Sequence, residues 1–114
     1  MALFATATGI AAAAVTLTLP QTASARHRIT QIQVDAYTTV ARNGTATPVV
    51  VTTTNLNGLA FTFGSAGAVG AVERDSILSL NGVDADVANT ATTIVCPATA
   101  SVIWRVNVVY ENVG

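Results

Sequence analysis

The chain of 114 residues has room for one domain and can bury about two-thirds of its unfolded surface without disulfides. Charged residues make up 10% and hydrophobic ones 51%, against roughly 25% charged in an ordinary soluble domain, so ionic groups are too few to coat an isolated monomer. A net charge of −1 without a basic block argues against a phosphate-neutralising surface and hence against nucleic acid as a direct partner.

All five basic residues are arginine and lysine is absent. Guanidinium is weakly hydrated and pairs in a fixed geometry, which suits interfaces; a GC-rich genome favouring arginine codons gives the same bias. The lone Cys96 has no partner for an internal disulfide and reads as a small buried apolar residue, leaving the redox compartment open.

Residues 1–14 are small and apolar and read as an N-terminal arm held by neighbouring subunits, with Leu3, Phe4 and Ile10 as its gripping side chains. The first 25 residues resemble a secretory signal, ending in Ala23-Ser24-Ala25, but no Lys or Arg precedes Arg26, so the positive leader region is missing. Thr6, Thr8, Thr16 and Thr18 interrupt the run and speak against a membrane helix. Residues 15–114 are expected to form a single β domain.

Val15, Leu17 and Leu19 alternate with Thr16 and Thr18, which predicts a strand closed by Pro20. From Ile29 onward Ile32, Val34 and Ala36 alternate with Gln31, Gln33, Asp35 and Tyr37, a second strand with one wetter face. Asn43-Gly44 is a strong turn signal before a strand at residues 49–54, so a hairpin is expected there. Asn43-Gly44-Thr45 also matches a glycosylation acceptor, a reading that needs export.

Asn55-Leu56-Asn57-Gly58 is the next turn, leading to Leu59, Phe61 and Phe63 on one strand face. The Gly- and Ala-rich stretch 64–70 lacks the Gly-Lys-Ser/Thr of a phosphate loop and reads as a loop packed against a neighbour. Residues 72–80 predict a strand, Asn81-Gly82 a tight turn, and residues 83–88 a further alternating run. Residues 92–96 and 102–110 read as two strands joined as a hairpin past Pro97. In the second of these Val102, Trp104, Val106, Val108 and Tyr110 share one apolar face, and Ile103, Arg105, Asn107 and Val109 the other.

About eight short strands with turns every eight to twelve residues, and no amphipathic helix, predict an all-β antiparallel sandwich or jelly roll.

No catalytic signature accompanies the pattern, and an enzyme is the least supported class. His27 sits in a polar linker between Arg26 and Arg28; a pH-sensitive contact is the sharper reading, a surface or interface histidine the plainer one. One His and one Cys leave no zinc site within the chain, and no cofactor is expected. Asp84 and Asp86 share a strand face; a shared calcium ion is the sharper reading, solvated carboxylates warding off edge pairing the plainer one. Glu73-Arg74-Asp75 suggests ion pairs across a subunit boundary, or a charged rim. Trp104 and Tyr110 read as core rather than as a carbohydrate-stacking platform. If a second chain covers its face, Arg105 is placed for a bidentate contact, and Arg28 and Arg74 are the other cationic interface candidates.

Val15-Thr16-Leu17-Thr18-Leu19-Pro20, Ile29-Thr30-Gln31-Ile32, the run from Thr45 through Pro48 to Leu56, and the run from Ala88 to Pro97 with Ile103-Trp104-Arg105-Val106 carry a resemblance. Together they resemble small β-rich proteins of tailed phages and prophages, the head decoration or cement proteins that sit as trimers on the major capsid protein shell. The resemblance covers about residues 15–110 and implies a structural virion component on the capsid surface. Its partners would be the major capsid protein and further copies of itself, with no membrane and no cofactor. The alternative is a carbohydrate- or receptor-binding β-module of a phage tail or spike, or of a secreted protein, and it needs an exposed aromatic platform.

Overall fold

A computed structural model describes residues 2–41, 48–64 and 67–114. The Asn43-Gly44 turn and its glycosylation acceptor lie outside the described residues. The elements in order are β1 (Leu3–Thr8), β2 (Val15–Leu19), β3 (Arg26–Thr38), β4 (Val49–Thr54), β5 (Ala60–Phe63), β6 (Val72–Asp84), β7 (Thr92–Cys96) and β8 (Val102–Val113). The period-two burial of β2 and β7, with every second residue inward, is the alternation in their sequences made visible.

Each strand of the first half pairs antiparallel with its mirror in the second half: β1 with β8, β2 with β7, β3 with β6 and β4 with β5. Two further pairings, β3 with β8 and β4 with β7, join these into sheet A, ordered β1-β8-β3-β6, and sheet B, ordered β2-β7-β4-β5. This rolled-up double ribbon is the jelly-roll arrangement of a β-sandwich.

The winding corrects two expectations. Neither β3 with β4 nor β7 with β8 forms a hairpin, because each pair is divided between the two sheets. The chain crosses at Pro97, whose carbonyl accepts hydrogen bonds from Trp104 Nε1 and Thr99 Oγ1, both at 2.9 Å. A turn residue therefore marks a change of sheet here rather than a return within one. Among the described residues only β4 and β5 are consecutive partners, joined through Asn55, Asn57 and Gly58, all at positive φ.

Between the sheets Trp104 is 0% exposed and meets Phe63 edge-to-face, with ring centroids 5.2 Å apart. Leu17, Leu19, Ile94 and Cys96 of sheet B close on Ile32, Val34, Val106 and Val108 of sheet A. Tyr110, expected in this core, is half-buried and packs against it.

Residues of the expected arm belong to the sandwich. β1 pairs with β8 along its whole length, from Leu3 opposite Tyr110 to Thr8 opposite Arg105, and Gly9 N donates to Trp104 O at 3.0 Å. Ala5 and Ala7 face inward and pack on the core. Their small side chains let an edge strand lie close over the sheet, although an alternation of Ala and Thr carries little strand signal in sequence.

Asn81-Gly82 does not reverse the chain. Four residues of β6, Ser79 to Gly82, stand against Thr30 alone on β3, so the strand bulges and then resumes pairing at Val83. Gly82 has φ +78, and a Cβ there would run into the Arg28 side chain, so glycine is required by both backbone and space. The expected run 83–88 accordingly has no strand of its own beyond Asp84.

Candidate functional site: the outer face of sheet A

Register and alternation place four rows of side chains across the solvent face of sheet A. Ile103, Tyr37 and Val72 form the first, and Thr8, Arg105, Asp35 and Arg74 the second. Thr6, Asn107, Gln33 and Ser76 form the third, and Phe4, Val109, Gln31 and Leu78 the fourth. A charged row thus lies between an apolar row and an amide row, and a second apolar pair, Phe4 and Leu78, flanks the far side.

The charged row holds two guanidiniums and one carboxylate. Arg74 Nε donates to Asp35 Oδ1 at 2.7 Å and its second nitrogen to Oδ2 at 3.3 Å. This two-point contact holds the Arg74 guanidinium above its ordinary pKa. Gln33 Nε2 approaches the same carboxylate at 3.5 Å. Asp35 is therefore already engaged at both oxygens. Arg105, directly opposite it on β8, is exposed and makes no ion pair among the described residues.

Thr8, Asp35, Tyr37, Val72, Arg74, Ile103 and Arg105 line an open depression of about 270 Å³ on this face. Its floor carries an excess of positive charge beside apolar walls, which is the chemistry of a seat for one anionic group.

Farther along β3, Arg28 binds Asp84 at 2.7 Å and lies 3.8 Å from Glu111. The hydrogen bond from Arg28 holds the Asp84 carboxyl below its usual range, and Asp84 raises Arg28 in turn. Exposed apolar groups lie elsewhere on the surface. Phe4 is 79% exposed, Ile10 74%, and Leu80, carried outward by the β6 bulge, 95%.

Of the six interface residues read from the sequence, Phe4, Arg28, Arg74 and Arg105 come together on this face. Leu3 points the other way, half-buried opposite Tyr110, and Ile10 sits in the loop after β1. The Glu73-Arg74-Asp75 cluster is divided: Arg74 serves Asp35, and Glu73 Oε2 accepts from Gly64 N at 3.0 Å. Of the Gly- and Ala-rich stretch, residues 65 and 66 lie outside the described residues, and its end packs on its own chain, with Thr38 N donating to Ala71 O and Gly70 N to Thr38 O.

Two expectations are corrected. His27 is 2% exposed and lies inside β3, because the strand begins earlier than the Arg-His-Arg sequence suggests and turns every second side chain inward. Asp84 and Asp86 do not share a strand face, because β6 ends at Asp84: Asp84 is held by Arg28, and Asp86 Oδ2 accepts from Asn57 N at 2.6 Å. Asp35 was read merely as part of a wet face. Its role needed the β3–β6 and β3–β8 registers, and no local signal in the sequence supplies those.

Comparison of this chain with family models, with characterised proteins and with solved structures finds no match.

Proposed function

We propose that this chain is a structural, non-enzymatic protein of a virion. In this reading it is a decoration or cement protein that sits as a homotrimer on the shell of the major capsid protein and stabilises it. The observation that carries the reading is the exposure of Phe4, Ile10, Leu78 and Leu80 in a chain with only 10% charged residues. Large apolar groups left in water by the folded domain favour a partner surface. Each contact would contribute roughly 25 cal/mol per Å² of apolar area removed from water. Repetition over many copies on a shell turns modest contacts into firm attachment.

Jelly rolls recur in viral capsid and lectin domains, an analogy at the level of fold that agrees with this reading without carrying it. Trp104 is buried and offers no platform for stacking sugars, which leaves the exposed rings of Phe4 and Tyr37 as the aromatic surface of the alternative reading.

The test is sedimentation of the native protein with purified shells. The wild type should migrate with the multi-megadalton particle. Phe4→Ser with Ile10→Ser should release it while leaving β1 and its pairing in place. Retained occupancy by the double variant removes the gripping role of those side chains, and a wild-type protein that ignores shells overturns the reading.

A further inference from the structure

We propose that the depression on the outer face of sheet A is filled by Asp75 of a second copy of this chain, whose carboxylate Arg105 takes in a bidentate contact. The inference rests on the self-association contained in the virion reading and names its contact.

Within one copy the charged row does not balance. Asp35 gives both oxygens to Arg74, which leaves Arg105 facing a carboxylate already engaged. The carboxylate that would balance it is on the same chain but out of reach. Asp75 pairs with Val34, an inward residue, whereas Arg105 pairs with Asp35, an outward one. The two side chains therefore lie on opposite faces of sheet A with β3 between their strands, about 10 Å apart at the backbone.

Other exposed carboxylates are committed: Asp84 to Arg28, and Asp86 to the Asn57 N–H. Asp75 accepts only from the N–H of Ser76, the next residue, at 2.9 Å, and makes no ion pair among the described residues. It stands on β6, the edge strand of sheet A, which also carries Leu78 and Leu80. A contact between β8 of one copy and β6 of the next can repeat around a closed ring such as a trimer, and two copies facing one another can make it twice about a two-fold axis.

A charge swap read by sedimentation velocity tests the pair. Arg105→Asp and Asp75→Arg should each weaken self-association by more than about tenfold, and the combined variant should restore it. Thermal melts verify folding. Arg105→Gln and Asp75→Asn, which keep polarity and shape, should give the same loss in milder form. Either single reversal that assembles as the wild type does, a combined variant that stays apart, or a monomeric wild type overturns the inference. A run with shells separates the two readings. If Arg105→Asp loses shells but still self-associates, a shell carboxylate occupies the depression and the second-copy occupant is wrong. If the swap behaves as expected while the wild type ignores shells, only the virion reading fails.

Discussion

His27 Nδ1 lies 2.7 Å from Thr92 Oγ1, a polar link between β3 of sheet A and β7 of sheet B in the interior of the sandwich. On its other side Nε2 lies 2.9 Å from the carbonyl of Pro20, which can only accept, so Nε2 carries the proton. In that tautomer Nδ1 accepts from the Thr92 hydroxyl, whose oxygen accepts from Asn55 Nδ2 at 3.3 Å. Thr92→Val would remove the middle of this chain and orphan a buried ring nitrogen. The expected cost is about 1–3 kcal/mol, seen as a lower urea midpoint with an unchanged slope.

Trp104 fills the space between the sheets and donates to Pro97 O at 2.9 Å. Trp104→Ala should cost about 3–5 kcal/mol, a large share of the 5–15 kcal/mol typical of a domain. Trp104→Phe should cost less, because Thr99 still satisfies the Pro97 carbonyl. Wild-type tryptophan emission should be blue-shifted and should move to the red on unfolding.

Arg28 and Asp84 give a pH dependence on the acid side. Because the folded carboxyl is held below its ordinary value, the pair contributes stability at neutral pH. That contribution is lost as pH falls below about 4, the usual aspartate value, and through the lowered folded one. Both side chains are exposed, so the effect should be small and should shrink with added salt. Asp84→Asn should flatten this part of a plot of melting temperature against pH.

Cys96 is wholly buried, and burial pushes its thiol up to about 12. A thiol-reactive dye at pH 8 should label it only as fast as the protein opens, and rapidly in denaturant. The folded state favours the protonated thiol. Stability from this group is therefore complete below about 8.5 and is lost as pH rises from there toward the folded value. Cys96→Ala should remove that alkaline slope.

Strands whose apolar residues recur at period two were legible from sequence. Val15, Leu17 and Leu19 face inward as their alternation demanded, and so do Ile94 and Cys96, and Val102, Trp104, Val106 and Val108. What sequence withheld was pairing. Asn81-Gly82 has the chemistry of a hairpin, yet the long partner strand β3 holds β6 straight through it and the glycine is spent on a bulge instead. Arg26-His27-Arg28 looks polar throughout, but a strand turns His27 to the core and Arg28 to the surface. The Asp35–Arg74 contact joins residues distant in the chain, so only the register brought them together. Of the side chains Leu3, Phe4 and Ile10 read as gripping, Phe4 and Ile10 are exposed while Leu3 turns inward opposite Tyr110, and the exposure of Leu80 required the bulge to be known.

The pairing of β1 with β8 has a kinetic consequence. Of the eight strands described, the first in the chain has the eighth as its hydrogen-bonding partner, so during synthesis β1 must wait, unpaired, until β8 has emerged. Such non-local closure is slow, with folding on the millisecond-to-second scale expected of all-β topologies. Through that interval the Leu-Phe-Ala stretch is open to capture by another nascent chain.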